Sequence, residues 1–214
     1  MNPASSDPRA AWLMRLGDAA LILGHRLSEW LARAPTLEED IALANLSLDL
    51  IGQARAFYTR ACELEGGSRD EDALAYRRAE PDYRNPLIVE QPNGNFADTM
   101  ARHLIFSAYA APLYEKLSGS NDAETAGIAT RAAREMAYHL RHSGEWMIRL
   151  GDGTAEGRAK AQSALDELWP LAGSCSRPTI SILRSRPQAL ASIRPRFALS
   201  STPRSTTFSL LRPW

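Results

Sequence analysis

The sequence predicts an all-α protein, a bundle of four long helices with shorter extra ones. Three observations lead there. Apolar residues recur at alternating steps of three and four through four long segments. Helix breakers stand between those segments: Pro35, Gly66-Gly67, Gly119 with Asn121-Asp122, and Gly151-Asp152-Gly153. No stretch alternates with the period of two that a half-buried strand requires. A chain of 214 residues can bury one ample core, so one domain is the default.

The first helix is expected from about 8 to 33. Leu13, Leu16, Ala20, Leu23, Leu27 and Trp30 form its bundle-facing seam, with Arg15, Arg26, Ser28 and Arg33 off it. Thr36 opens the second, which should run from 37 to about 65. Thr36 and Glu39 have capping-box spacing, and Glu38, Glu39 and Asp40 suit the positive end of the helix dipole. This helix carries two apolar stripes, Ile41-Ala44-Leu48-Ile51 and Leu43-Leu46-Leu50, and is therefore expected to pack on two sides.

Residues 68–78 suit a short acidic helix. A long connection follows to Asn95, marked by Pro81, Pro86, Pro92 and Asn93-Gly94. Its length suggests a crossover, with Leu87, Ile88 and Val89 tucked against the helices. Asn95 and Asp98 cap a third helix, 96 to about 117, which Pro112 should kink or end early. The fourth spans 123 to about 150, with Ile128, Ala132, Met136, His139, Ser143, Trp146 and Leu150 on one face. A fifth is expected from 154 to 171, apolar at Ala161, Leu165, Leu168 and Trp169.

The formal charge of zero hides a split. Residues 174–214 contain seven Arg and no Asp, Glu or Lys, which leaves 18 basic and 25 acidic residues in the body, a formal −7. An acidic body argues against a nucleic-acid partner. Cys62 and Cys175 make neither a disulfide framework nor a metal knuckle, and read as free thiols of a reducing compartment. No signal-peptide pattern opens the chain and no run of about 18 apolar residues occurs, so the expected setting is cytoplasmic, without a membrane partner.

The chemistry-bearing residues concentrate on the fourth helix: Glu135, Tyr138, His139, His142 and Glu145. Carboxylate-bridged di-iron bundles take a Glu from each of two helices and a Glu-x-x-His from each of the other two. Here Tyr138 stands three residues after Glu135, and His139 falls one place late, about 100° around the helix. On the second helix the nearest equivalent is Asp49-Leu-Ile-Gly52, where Gly52 cannot replace a histidine. Asp18 or Glu29 on the first helix and Glu115 on the third are the remaining carboxylates, and Ser107 occupies the mid-helix ligand position of the third. Too few donors are in place for two irons, since each missing ligand must be replaced by water. The expectation is no metal, no cofactor and no catalytic residue in this chain. Asp49, Glu135, His139 and His142 would form a vestigial, ligand-like polar layer, hydrogen-bonded among themselves and to buried backbone groups. His25 and His103 are expected at the surface or seam, and Glu115 on a solvated face. No Gly-rich phosphate loop, Ser/His/Asp set or Cys/His pair is present.

Several ordered stretches carry a resemblance: residues 16–30 (LGDAALILGHRLSEW), 37–45 (LEEDIALAN), 48–55 (LDLIGQAR), 87–97 (LIVEQPNGNFA), 138–142 (YHLRH) and 149–154 (RLGDGT). Over about residues 12–173 the chain resembles the PaaC-type structural subunits of bacterial phenylacetyl-CoA epoxidases, also called phenylacetate-CoA oxygenases. The resemblance implies a ferritin-like fold and a role in aerobic phenylacetate catabolism, an aromatic-compound degradation. It implies as partner a catalytic A subunit, whose di-iron centre activates dioxygen and epoxidises the substrate ring. A reductase with flavin and an iron–sulfur cluster, and small accessory subunits, complete that complex. The PaaC-type subunit itself is a related bundle that has lost the centre and scaffolds the catalytic one. Ser107, where a carboxylate is usual in the family, and Pro112 are departures from its pattern. The competing reading is a stand-alone carboxylate-bridged di-iron oxygenase or ferritin-like metal protein, which the ligand count disfavours.

The resemblance stops near residues 168–173. The Ser/Arg/Pro-rich remainder, 174–214, has a disordered composition. Back-translated and read one base earlier, residues 174–182 permit Glu-Leu-Phe-Thr-Pro-Asp-Asp-Ile-Asp, which resembles the family's continuation. Two readings of the tail stand: a one-base frameshift near codon 173, natural or from sequencing, or a genuine basic tail.

Overall fold

The computed structural model describes residues 7–67 and 69–176. Among them every regular element is helical. Pro8–Ser28 forms α1, Leu37–Glu65 α2, Glu71–Tyr76 α3, Phe96–Leu117 α4, Ala123–Asp152 α5 and Ala155–Leu168 α6, with 3-10 turns at Glu80–Asp82 and Trp169–Ser174. The architecture is a ferritin-like helical bundle. Helices α1 and α2 pack along their length as one hairpin and α4 and α5 as another, while α6 lies across α4 and α5. The long link through α3 joins the hairpins.

Local chemistry sets the boundaries. The Thr36 side chain accepts from the Glu39 amide, and Gly66 takes the left-handed conformation (φ 62°) that closes α2. Asn95 and Asp98 form a complete capping box at α4. The Thr154 side chain accepts from the Gly157 amide at α6.

Five expectations are corrected. The first helix ends at Ser28, five residues early, in a turn where Ala32 adopts φ 61° without a glycine to announce it. Pro112, which is exposed, does not end α4 early: the helix runs through it to Leu117. The fifth helix stops at Leu168 and gives way to a 3-10 turn. Of the two stripes of α2, Leu43-Leu46-Leu50 is buried, whereas in the other Ile41 and Leu48 are exposed and Ala44 and Ile51 half-buried. In the crossover, Ile88 and Val89 are fully buried as expected, but Leu87 is exposed.

The core is continuous from Ala10 to Cys175, and is dominated by Leu of α1 and α2 and by Phe57, Tyr58, Phe106 and Tyr114. Both thiols, Cys62 and Cys175, are buried and unbridged. Burial raises the pKa of each, that of Cys175 to about 11. Ser174 and Cys175 still belong to this core, and the Arg15 guanidinium donates to the Ser174 carbonyl at 3.0 Å. The remainder of the tail, 177–214, lies outside the described residues.

Candidate functional site

The side chains that sequence reasoning singled out lie along the seam between α2 and α5, but as separate pairs. His139 Nε2 is 3.2 Å from Asp49 Oδ2. Glu135 accepts from Gln53 Nε2 at 2.8 Å and meets Arg131 at 3.4 Å. His142 Nε2 is 3.0 Å from Glu39 Oε2. Of the four expected members of the layer, only Asp49 and His139 touch each other. Glu39 and Gln53 complete the other two pairs. Gln53 could have been found from its place four residues after Asp49, on the same face of α2.

His103 was expected at the surface or seam and is instead fully buried. The signal was available: it stands three residues after Met100 and three before Phe106, within the buried stripe of α4. Its ring lies 5.0 Å from that of His139, centroid to centroid. Neither of its nitrogens has a hydrogen-bond partner among the described residues, nor has Ser107 Oγ one turn further on. Burial, then the neighbouring His139, holds the His103 pKa well below the usual imidazole range. Burial likewise lowers that of His139, against the opposing pull of Asp49. Burial raises the pKa of the Glu135 carboxyl, although the Gln53 hydrogen bond opposes it.

The other carboxylates considered as ligands lie elsewhere. Asp18 is fully buried at the opposite side of α1's hairpin, where it accepts from Tyr58 Oη at 2.7 Å, from the Arg84 amide at 2.7 Å and from the Arg78 guanidinium. It is a clamp on the crossover. Glu29 is exposed and paired with Arg26 at 2.9 Å. Glu115 and His25 are exposed. Among the described residues no group of three or more His, Cys, Asp or Glu is arranged to hold a metal ion. Each acid along the seam has a hydrogen-bonding partner on the facing helix, while His139 Nδ1, His142 Nδ1 and Gln53 Oε1 have no partner among the described residues. Such an interior can hold protons and orient the two hairpins, but it does not fit a pair of irons.

No helix of the described residues is long and apolar enough to cross a membrane. Residues 1–193 match the family model described as phenylacetic acid catabolic protein. The chain is similar to the C subunit of the 1,2-phenylacetyl-CoA epoxidase of Escherichia coli (strain K12), 50% identical over 159 residues, which are 74% of this chain and 64% of that protein. It thus spans less than two thirds of that relative's length.

Proposed function

The chain belongs to the phenylacetic acid catabolic protein family, and from that premise we propose that it is a non-catalytic, structural subunit of a multicomponent monooxygenase that epoxidises the ring of phenylacetyl-CoA. The observation that carries the reading is the 50% identity to the C subunit of such an epoxidase. The pairing along the α2–α5 seam supports it. Asp49, Glu135, His139 and His142 are the vestige of a metal layer, in which each former donor has acquired a partner such as Gln53 or Glu39. What remains does the work of a scaffold: hydrogen bonds fix the spacing of two hairpins where coordination bonds to a metal ion would otherwise do so.

In this reading the di-iron centre belongs to a catalytic A subunit. Electrons come from a reductase, small accessory subunits complete the assembly, and all work in the cytoplasm. Co-expression tests it. The tagged chain is expected to co-purify with the A-type subunit of its own complex, to carry no stoichiometric iron alone, and to turn over no substrate without that partner. Two irons per chain after aerobic reconstitution, with oxygen consumption by this polypeptide alone, would overturn it in favour of a stand-alone di-iron protein.

A further inference from the structure

Three fully buried side chains on α4 and α5 keep four polar atoms without a partner among the described residues: both ring nitrogens of His103, Oγ of Ser107 and Nδ1 of His139. His103 and Ser107 stand one turn apart on the buried face of α4, and the rings of His103 and His139 are 5.0 Å apart, centroid to centroid. The four atoms thus belong to one patch between the two helices. Gln53, Arg102 and His142 also keep a buried polar atom unpartnered, but each bonds through another atom of its side chain. The side chains of His103 and Ser107 bond through none. A buried polar atom left so is costly, and such atoms are paired by protein, ordered water or an ion.

The donors and acceptors of the patch can be counted. The Asp49 carboxylate only accepts, so its 3.2 Å contact puts the His139 proton on Nε2 and leaves Nδ1 a bare acceptor. His103, which burial keeps neutral, has one N–H and one bare nitrogen. Ser107 has an O–H and two lone pairs. No direct bond joins the two rings. The missing partner must therefore both donate and accept. A cation would take the lone pairs but could not accept the His103 N–H, and among the described residues no group of three or more His, Cys, Asp or Glu is arranged to hold one. An anion would accept the two protons and leave His139 Nδ1 bare. A water molecule does both, and the patch supplies the two to four polar partners that a buried water takes.

We propose that His103, Ser107 and His139 form an internal water-binding site, in which at least one ordered water donates to His139 Nδ1, accepts from the His103 N–H and bonds Ser107 Oγ. The water ties α4 to α5. Through His139 and Asp49 the tie continues to α2, so a single hydrogen-bonded path runs from one hairpin to the other. Water thereby joins the helices at the height where Ser107 holds the mid-helix ligand position. Since all three side chains are fully buried, the water leaves only when the helices part, and it is held longer than the protein takes to tumble.

Three measurements on the full chain test this. A crystal structure is expected to show a spherical density peak ~2.7–3.2 Å from His139 Nδ1 and from a second atom of the patch, without anomalous signal. Nitrogen-15 spectra of the imidazoles should show His139 as the Nε2–H tautomer. Oxygen-17 relaxation dispersion counts long-lived waters, and the count should fall by at least one in His103→Leu. Direct contact between the two rings, with no peak beside them, overturns the proposal, as does a His139 protonated on Nδ1. So does an anomalous metal peak, or one equivalent of zinc bound by the wild type and not by His103→Leu. An unchanged count of long-lived waters in His103→Leu does the same. Should that variant fail to fold, the crystal structure and the tautomer, both read on the wild type, still decide. The scaffold reading fails on two irons with turnover, which none of these results resembles, so the two stand or fall separately.

Discussion

Take away the carboxylate of Asp18 and the Arg78 guanidinium, 5% exposed, is left buried without its counter-charge, while the Tyr58 hydroxyl and the Arg84 amide lose their acceptor. Asp18→Ala is therefore expected to cost about 3–5 kcal/mol, the range for breaking a buried pair from one side. Urea unfolding measures it; a cost under about 1 kcal/mol would show the clamp to be idle. The imidazoles give a second prediction at this scale. His103 and His139 are both held below the ordinary imidazole value in the fold, whereas in the unfolded chain each titrates near ~6.5. The unfolded state thus binds more protons below that pH. Stability is fully present above it and is lost as pH falls, by up to about 1.4 kcal/mol per pH unit for each imidazole still neutral in the fold. Melts from about pH 7 to about pH 5 should show the decline, and His103→Leu, which removes two unpartnered nitrogens, should flatten it. At this scale the sequence was only half legible. Asp49 and His139 could be placed on facing helices by periodicity. The partners of Asp18 could not, because Tyr58, Arg78 and Arg84 lie 40 to 66 residues away along the chain and no local pattern encodes a pairing at that distance.

The elements were legible where caps and breakers speak. Thr36, Gly66 and the Asn95–Asp98 box delimit α2 and α4 at the residues their chemistry predicts. The end of α1 was not legible, because Ala32 turns the chain at positive φ without a glycine. Packing between elements explains Gly17 as well. A Cβ at that position would stand 2.5 Å from Tyr58 Cε1, and the ring cannot retreat, since its hydroxyl is held by Asp18 at 2.7 Å. Gly17→Ala should accordingly destabilise the α1–α2 hairpin by about 1–3 kcal/mol, although alanine is the better helix former. An unchanged melting temperature would show that α1 and α2 can part without penalty.

Across the whole molecule, the crossover is what makes two hairpins into one body. The Arg78 guanidinium and the Arg84 amide moor its first half to Asp18, and Arg102, almost wholly buried, moors its second half by donating to the carbonyls of Gln91 and Pro92. Burial, with the charge of Arg26 adding to it, pushes the Arg102 pKa down to about 10. Arg102→Ala should release the segment from 84 to 95 while the four long helices persist. Limited proteolysis is expected to cut there several-fold faster at unchanged helical circular dichroism; cleavage at the wild-type rate would mean that the mooring lies elsewhere. The need for a crossover was legible from the length and proline content of 79–95. Which cations hold it was not, since 18 basic residues stand in the body and only burial sets Arg78 and Arg102 apart from most of them.

The two sulfur atoms shut inside this core have a practical use. Neither Cys62 nor Cys175 offers an accessible thiolate in the folded chain, so an alkylating dye should label only molecules that have momentarily opened. The rate of that labelling then counts opening events, and because one thiol sits on α2 and the other beyond α6, the order in which they react would tell whether α2 or the segment after α6 lets go first.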